Sequence, residues 1–439
     1  MRTSLRDHRL LLVTAMLLSV PPVASAADDS LRDRIKDENG ARTDVWVYND
    51  IPSAMAQAKK DNKPLFVTFR CVPCQACAAF DADVANGNQR VREFARKHFI
   101  PVRQVEMKDV DLSLFEFDHD LNWAGMFVNA DGVVYARYGT QSAEGPDAYN
   151  SIDGLLTTMQ RVLDLHEAYP QNIDELRAKR GTKKRGLTAL DLPGMRNAEK
   201  LEKETTRSNC VHCHMIHDAA HFHSQEAGAF SQDQLWKFPL PDTVGLKIDR
   251  NHGLKIKAVA GNSPAASAGI KTDAEVRRMN GQRIVSIADM QWVLHKLPNT
   301  TTTLNVELAD GSQHSLKLPA GWKKYDISWR GSLWSVSPRL RVWSPPLSFN
   351  RRQQLGIPES DSALLVKWIN RGAAGGRSAF ESGLRQNDVI VELAGKPLRR
   401  MNNQQFNAHI KLNYKVGDEL PLTVIRGGKR RQLQIRLVE

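Results

Sequence analysis

With 439 residues, 41% of them apolar and 25% charged, the chain is long enough for about three domains and has the make-up of a folded protein. That balance excludes a mainly disordered chain, a collagen or a coiled coil, and a lone apolar run near residue 10 excludes a multispan membrane protein. The net charge is +12, and the five cysteines fall in two tight groups, which suits redox or ligand chemistry better than a disulfide framework. In chain order, Arg2, Arg6 and Arg9 precede the apolar run Leu10–Leu18, and Ala24-Ser25-Ala26 supplies the small residues of a cleavage site. Residues 1–26 therefore read as a signal peptide. The run is short for a ~30 Å hydrocarbon core, so cleavage is expected, with no transmembrane span in the mature chain. Losing the leader removes three Arg and one Asp and lowers the charge from +12 to +10. The mature protein is expected to be periplasmic or otherwise exported, where no nucleic acid is a partner. The basic runs Lys179-Arg180, Lys183-Lys184-Arg185 and Lys429-Arg430-Arg431 then read as solvated surface or contacts to anionic partners.

Ile51–Lys60 reads as a helix, and Lys63-Pro64 leads into a strand over Leu65–Phe69. Cys71, Cys74 and Cys77 follow at once, ahead of a helical pattern. Phe99–Met107 has strand character, and Met126–Val128 and Val133–Tyr138 flank the hairpin signal Asn129-Ala130-Asp131-Gly132. Ser151–Ala168 closes the region as an amphipathic helix, so residues 40–168 predict an α/β domain. A thiolate at a strand-to-helix turn is stabilised by the helix N-terminus, and a cysteine one turn later can resolve a mixed disulfide. On these residues the region resembles the thioredoxin superfamily, which implies catalytic roles for Cys74 as attacking thiol and Cys77 as resolving thiol. Two family features are missing: Ala124 stands at the cis-proline position and Thr68 at that of the buried acid. The third thiol, Cys71, completes a C-x-x-C-x-x-C row that could instead bind a soft metal such as Cu(I), with Cys71 a metal ligand, or close a structural disulfide.

Residues 169–238 form a polar segment expected to be mostly helical, with helices over Ile173–Arg180 and from Met195 into the motif Cys210-Val211-His212-Cys213-His214. C-x-x-C-H is the attachment pattern of a c-type haem: two thiols add to two vinyl groups and the adjacent histidine reaches the iron. Cys210, Cys213 and His214 are therefore cofactor-binding candidates for haem c. Zinc on the two cysteines and two histidines, with His214 a metal ligand, or a plain Cys210–Cys213 disulfide are the competing readings. His214, His217 and His221 share one helical face, which disqualifies the latter two as distal ligands to the same iron. Met215 is badly placed for that role, leaving Met195, Met279 and Met290 as candidates.

The C-terminal half contains a repeat. Val244–Ile248, Ile256–Val259, the turn Ser263-Pro264-Ala265-Ala266-Ser267-Ala268-Gly269-Ile270, Val276–Gly281 and a helix over Ile287–Lys296 make the first copy, residues 239–320. Leu355-Gly356-Ile357, Leu364–Val366, Ala379–Leu384, Asn387–Ile390, a helix over Phe406–Leu412 and two last strands make the second, residues 348–439. Both copies resemble PDZ domains of the bacterial protease-associated type. The resemblance implies β-rich α+β folds that add an extended peptide or protein C-terminus to a sheet edge, its carboxylate held by Val244, Gly245 and Leu246 in one copy and Leu355, Gly356 and Ile357 in the other. Residues 321–347, with Trp322, Trp329, Trp334 and Trp343, read as an ordered connector. The want of a G-x-S-x-G nucleophile turn argues against a protease.

The fold class expected is multidomain: an α/β thioredoxin-like domain, a mostly helical C-x-x-C-H segment and two PDZ-like domains. The function expected is an exported thiol/haem redox protein, acting with a redox partner protein and recruiting partner peptides. The alternative is a non-catalytic peptide-binding scaffold or an adaptor for zinc or copper with structural thiols.

Overall fold

The computed structural model describes residues 26–41, 45–72 and 78–439. The leader expected over residues 1–26 lies outside the described residues but for Ala26, and so do Cys74 and Cys77.

Five strands form the first sheet: β1 (Val47–Tyr48), β2 (Leu65–Arg70), β3 (Ile100–Gln104), β4 (Trp123–Val128) and β5 (Val134–Tyr138). Their order is β1-β3-β2-β4-β5, with the first three parallel and β4 and β5 antiparallel. Strands β2 to β5 are buried along their whole length, as befits a sheet covered on both faces. Helix Ile51–Asp61 starts where the Asp50 carboxylate accepts the Ser53 N–H and ends at Asn62, whose φ of 47° turns the chain back. Helix Gln89–His98 is capped by Asn88 and helix Ile152–Glu167 by Ser151. The expected hairpin closes with the Gly132 N–H on the Asn129 carbonyl. One contribution comes from before residue 40: Asp37 is buried and shares Arg103 with Asp81, at 2.8 Å each.

The stretch 169–238 departs from the helical expectation. Its longest helix is His214–Glu226, accompanied by the short turns Ile173–Leu176, Arg177–Lys179, Ala198–Leu201 and Gln232–Leu235. The C-x-x-C residues precede the long helix instead of lying within one. The segment takes hydrogen bonds from the α/β domain in place of its own, Met107 N–H to the Val211 carbonyl and Leu112 N–H to Leu187. It also approaches the long helix where only glycine fits: a Cβ on Gly194 would sit 1.9 Å from the Ala219 carbonyl oxygen.

The two C-terminal units share most of one pairing scheme, the second adding the helix Phe349–Gln354 and the strand Leu364–Leu365, which pairs with Val389–Leu393. In the first, Leu246–Ile248 pairs with Ile256–Val259, and Val276–Met279 pairs with both Gln282–Arg283 and Thr302–Leu308, which in turn pairs with Gln313–Leu318. In the second, Val342–Trp343 pairs with Trp368–Ile369, and Val389–Leu393 pairs with Lys396–Pro397 and Glu419–Arg426, which pairs with Lys429–Arg436. Each unit carries one main helix, Ile287–Lys296 capped by Ser286 and Asn403–Asn413 opened by the Asn402/Gln405 capping box. No helix among the described residues is long and apolar enough to cross a membrane.

Candidate functional site

The parallel strands β2 and β3 end side by side; Cys71 follows the first directly and Glu106 stands two residues past the second. Glu106 docks the second cysteine motif there. Its carboxylate accepts the Val211 N–H at 2.9 Å and the Thr205 hydroxyl at 2.8 Å. The result brings together side chains 141 residues apart: Cys71 Sγ lies 3.3 Å from His212 Nδ1. Spacing within either motif carries no signal of this meeting.

Cys71, Cys213 and His214 then line one wall of a cavity of ≈ 550 Å³. Trp329, Leu333 and Trp334 of the connector form another side. The row Gln404, Asn407 and Lys411, on helix Asn403–Asn413 of the second unit, closes it. Cys210 does not line the cavity: its thiol points to the Val105 carbonyl at 3.6 Å. Burial pushes the Cys210 and Cys213 thiols up, aided by the carboxylate of Glu106 at Cys210 and by Cys71 at Cys213. Both are thus held as thiols at neutral pH. Burial pushes His212 down to about 4, with His214 adding to the shift, so its imidazole is neutral.

The motif histidines are sorted by their partners. His214 Nδ1 meets Asp218 at 2.9 Å; burial opposes its charge, yet the carboxylate wins and raises its pKa. His217 is buried on Asp120 and His221 on Ser335, each at 2.9 Å. Asp118, Asp120 and His217 are the only His, Cys, Asp or Glu triad among the described residues whose candidate ligand atoms all lie within 4.8 Å of one another. Arg330 fills that triad, at 2.7 Å from Asp118 and 2.9 Å from Asp120, making it a structural ion-pair network.

These positions test the expected cofactors. A two-thioether haem needs both thiols and the imidazole on one cavity; Cys213 and His214 meet that condition and Cys210 does not. The set as folded therefore fits one thioether attachment, not two. Zinc on the second motif needs donors converging within about 4 Å of one another. No three of Cys210, Cys213, His212 and His214 converge within 4.8 Å, while a soft-metal site on Cys71, Cys74 and Cys77 falls partly outside the described residues. Among the expected distal ligands, Met195, Met279 and Met290 do not line the cavity.

In the first C-terminal unit, Val244 and Leu246 are buried and the Gly245 N–H, at φ 91°, is returned to the Pro241 and Asp242 carbonyls. In the second, Leu355, Gly356 and Ile357 end the helix Phe349–Gln354, their N–H groups taken by carbonyls of Arg351, Arg352 and Gln353. The strand that pairs there as Leu246–Ile248 does in the first unit is Val342–Trp343, within the stretch read as connector. Arg341, with φ 55°, stands before it where Gly245 stands in the first unit. The signal that could have found this strand was the run Leu340–Trp343, obscured by its unusual arginine turn.

Residues 46–130 match a family model described as thioredoxin-like. The chain is also 24% identical over 189 residues to a probable periplasmic serine endoprotease, DegP-like, from Marinomonas sp. (strain MWYL1), covering 43% of this chain and 38% of that relative. The chain thus spans well under half the length of the curated protein it matches. Similar solved structures include the PDZ domain of HtrA3 bound to a phage-derived ligand, at 16% identity, 23% of this chain, 86% of that chain and TM-score 0.18. Another is the HtrA-type protease AlgW with decapeptide, at 12% identity, 33% and 51% coverage and TM-score 0.20.

Proposed function

We propose that the protein is an exported thiol–disulfide redox protein whose C-terminal units recruit partner polypeptides. The observation that carries this reading is the contact of Cys71 Sγ with His212 Nδ1 at 3.3 Å, beside a cavity that Cys71 shares with Cys213. Cys71 continues the row whose members Cys74 and Cys77 hold the attacking and resolving positions under the thioredoxin resemblance. The neutral His212 ring is suited to accept a hydrogen bond from the Cys71 thiol and so to fix where its sulfur points. In the exchange, a protein thiolate attacks one sulfur of a partner disulfide and the other sulfur leaves as a thiolate that takes up a proton. A second protein thiol then displaces the partner, so the partner gains two electrons and the protein becomes a disulfide. Export rests on the leader pattern over residues 1–26. Peptide recruitment rests on the PDZ-like pairing scheme shared by the two C-terminal units.

Equilibrating the protein in buffers of graded thiol–disulfide potential, then alkylating and mapping each cysteine by mass spectrometry, tests the reading. A two-electron transition among Cys71, Cys74 and Cys77 is expected. Cysteines unmoved across the whole range would leave the non-catalytic scaffold as the function. Haem c on Cys210, Cys213 and His214 is the second reading, favoured by the Asp218 contact that orients the His214 ring. It requires Cys210 to turn from Val105, and covalent haem staining of protein exported by cells able to attach haem decides it.

A further inference from the structure

We infer that the substrate taken by the thiol site is an uncharged, extended polypeptide segment carrying a disulfide, seated in the cavity between Cys71 and helix Asn403–Asn413. This rests on the thiol-redox reading above and adds the substrate class and its place.

Three features of the cavity point to a peptide. One wall carries the thiols, and the other carries Gln404, Asn407 and Lys411 at i, i+3 and i+7 on the second unit's main helix. A segment lying along that helix would therefore meet Cys71 across the cavity. Four carboxamides stand in the lining: Asn122 donates to Gln141 at 3.0 Å and Asn407 to the Asn403 carbonyl at 2.8 Å, which leaves the Gln141 amide N–H groups and the Gln404 side chain on the same space. Carboxamides both donate and accept, which matches the N–H and C=O groups of a peptide backbone. Trp329, also in the lining, keeps a buried indole N–H with no acceptor among the described residues, a donor available to a carbonyl.

Charge argues in the same direction. Asp120 and Arg330 reach the cavity but are spent on one another and on Asp118, at 2.7–2.9 Å. Lys411 Nζ donates to the Val336 and Pro338 carbonyls at 2.6 and 3.2 Å. His214 is held on Asp218 at 2.9 Å, so among the described residues every charged group of the lining already has a protein partner, and none stands unpaired for a phosphate or a small dicarboxylate thiol. The volume of ≈ 550 Å³ lies within the ~300–1,000 Å³ of clefts that enclose most of a ligand's surface. In the first unit the equivalent helix is closed to a ligand by the chain itself: Phe238 stacks on His295 at 4.1 Å, and the Gln291 amide donates to the Phe238 carbonyl at 2.8 Å.

The test uses the full chain, reduced and freed of reductant. The probe is an end-blocked peptide with one cysteine activated as an aryl mixed disulfide and a benzophenone side chain three residues away. The Cys71 thiolate attacks the peptide sulfur, the peptide–aryl S–S bond breaks, and the aryl thiolate leaves with the electron pair. The Cys71 proton passes to solvent. Illumination and digestion are expected to give the peptide linked to Cys71 and photo-adducts within residues 404–411. A mixed disulfide at another cysteine, or adducts confined to other segments, overturns the inference and leaves thiol exchange standing. No release of the aryl thiolate beyond that of the probe alone overturns both. In a second measurement, Asn407→Trp fills the cavity from the helix side. The ratio of the exchange rate with the peptide to that with a small aryl disulfide should fall at least tenfold, and an unchanged ratio overturns the inference.

Discussion

Helix Ile287–Lys296 of the first C-terminal unit and helix Asn403–Asn413 of the second occupy the same place in one pairing scheme, yet eight of ten residues are buried in the first and four of eleven in the second. The first is clamped to the α/β domain and to the segment that follows it. Asp289 pairs with Lys179 with both side chains fully buried, Gln291 accepts from the Thr140 hydroxyl at 2.8 Å, and Arg137 lies 3.9 Å over the Trp292 ring. The second turns its carboxamide row to the cavity at the thiols. A repeated unit can thus serve once as a structural brace and once as a wall of a site, the choice being made by the residues that face outward from the shared helix.

The largest way to break the comparison is at the brace. Asp289→Ala leaves the buried Lys179 ammonium uncompensated and is expected to cost about 3–5 kcal/mol, read from the denaturant midpoint. A loss under about 1 kcal/mol would show that the brace does not hold the first unit. Acid should act on the other side, where His217 ties the motif helix to Asp120 of the α/β domain and His221 ties it to Ser335 of the connector. Burial pushes them down to about 3 and about 4, against about 6.5 when unfolded. Their stabilisation is whole above pH 6.5 and is lost as pH falls towards the folded values. Each imidazole should cost about 2 kcal/mol between pH 7 and 5. His217→Asn should remove about half of that slope, and a midpoint constant from pH 7 to 5 contradicts the assignment.

A finer test compares the two buried lysines. Lys411 has two carbonyls where Lys179 has a carboxylate, and burial, followed by Arg339 and Arg341, pushes it down to about 7. Lys411→Met should change stability by no more than about 1 kcal/mol at pH 7. The unfolded lysine holds its proton up to pH ~10.4, so the wild type should gain on the variant from pH 7 to 9. A flat difference over that range would place the ammonium's titration elsewhere. The smallest effect is expected at Trp343 and Trp368, cross-strand partners that are 54% and 55% exposed. Trp343→Ala should cost about 0.2–1 kcal/mol in thermal unfolding, and a larger loss would mean the strand anchors the second unit.

Much of the fold was legible because its signals are local. Asp50, Ser151, Ser286 and Asn402 cap helices expected at those places, and Asn129–Gly132 makes the hairpin between β4 and β5. The thioredoxin-like character of residues 46–130 was carried by Lys63-Pro64 and the cysteine spacing. In the middle segment the helix expected over residues 173–180 forms as Ile173–Leu176 and Arg177–Lys179, whereas the one expected from Met195 into the motif shrinks to Ala198–Leu201 because the motif backbone bonds to the α/β domain, as Met107 does to Val211. At the second unit's edge strand, a two-residue pairing opened by Arg341 offered too little periodicity to read.

The sequence by itself determined the α/β alternation, the repeat in the second half and the two cysteine motifs, since each is written in turns, caps and spacings a few residues long. Only the tertiary structure decided that Cys71 meets His212, that Cys210 turns away from the cavity while Cys213 faces it, and that one copy of the repeat is closed by Phe238 while the other opens on the thiols. Those outcomes depend on which surfaces are buried together across separations such as the 141 residues between Cys71 and His212. Burial of that kind is a property of the packed chain, and no short stretch of residues encodes it.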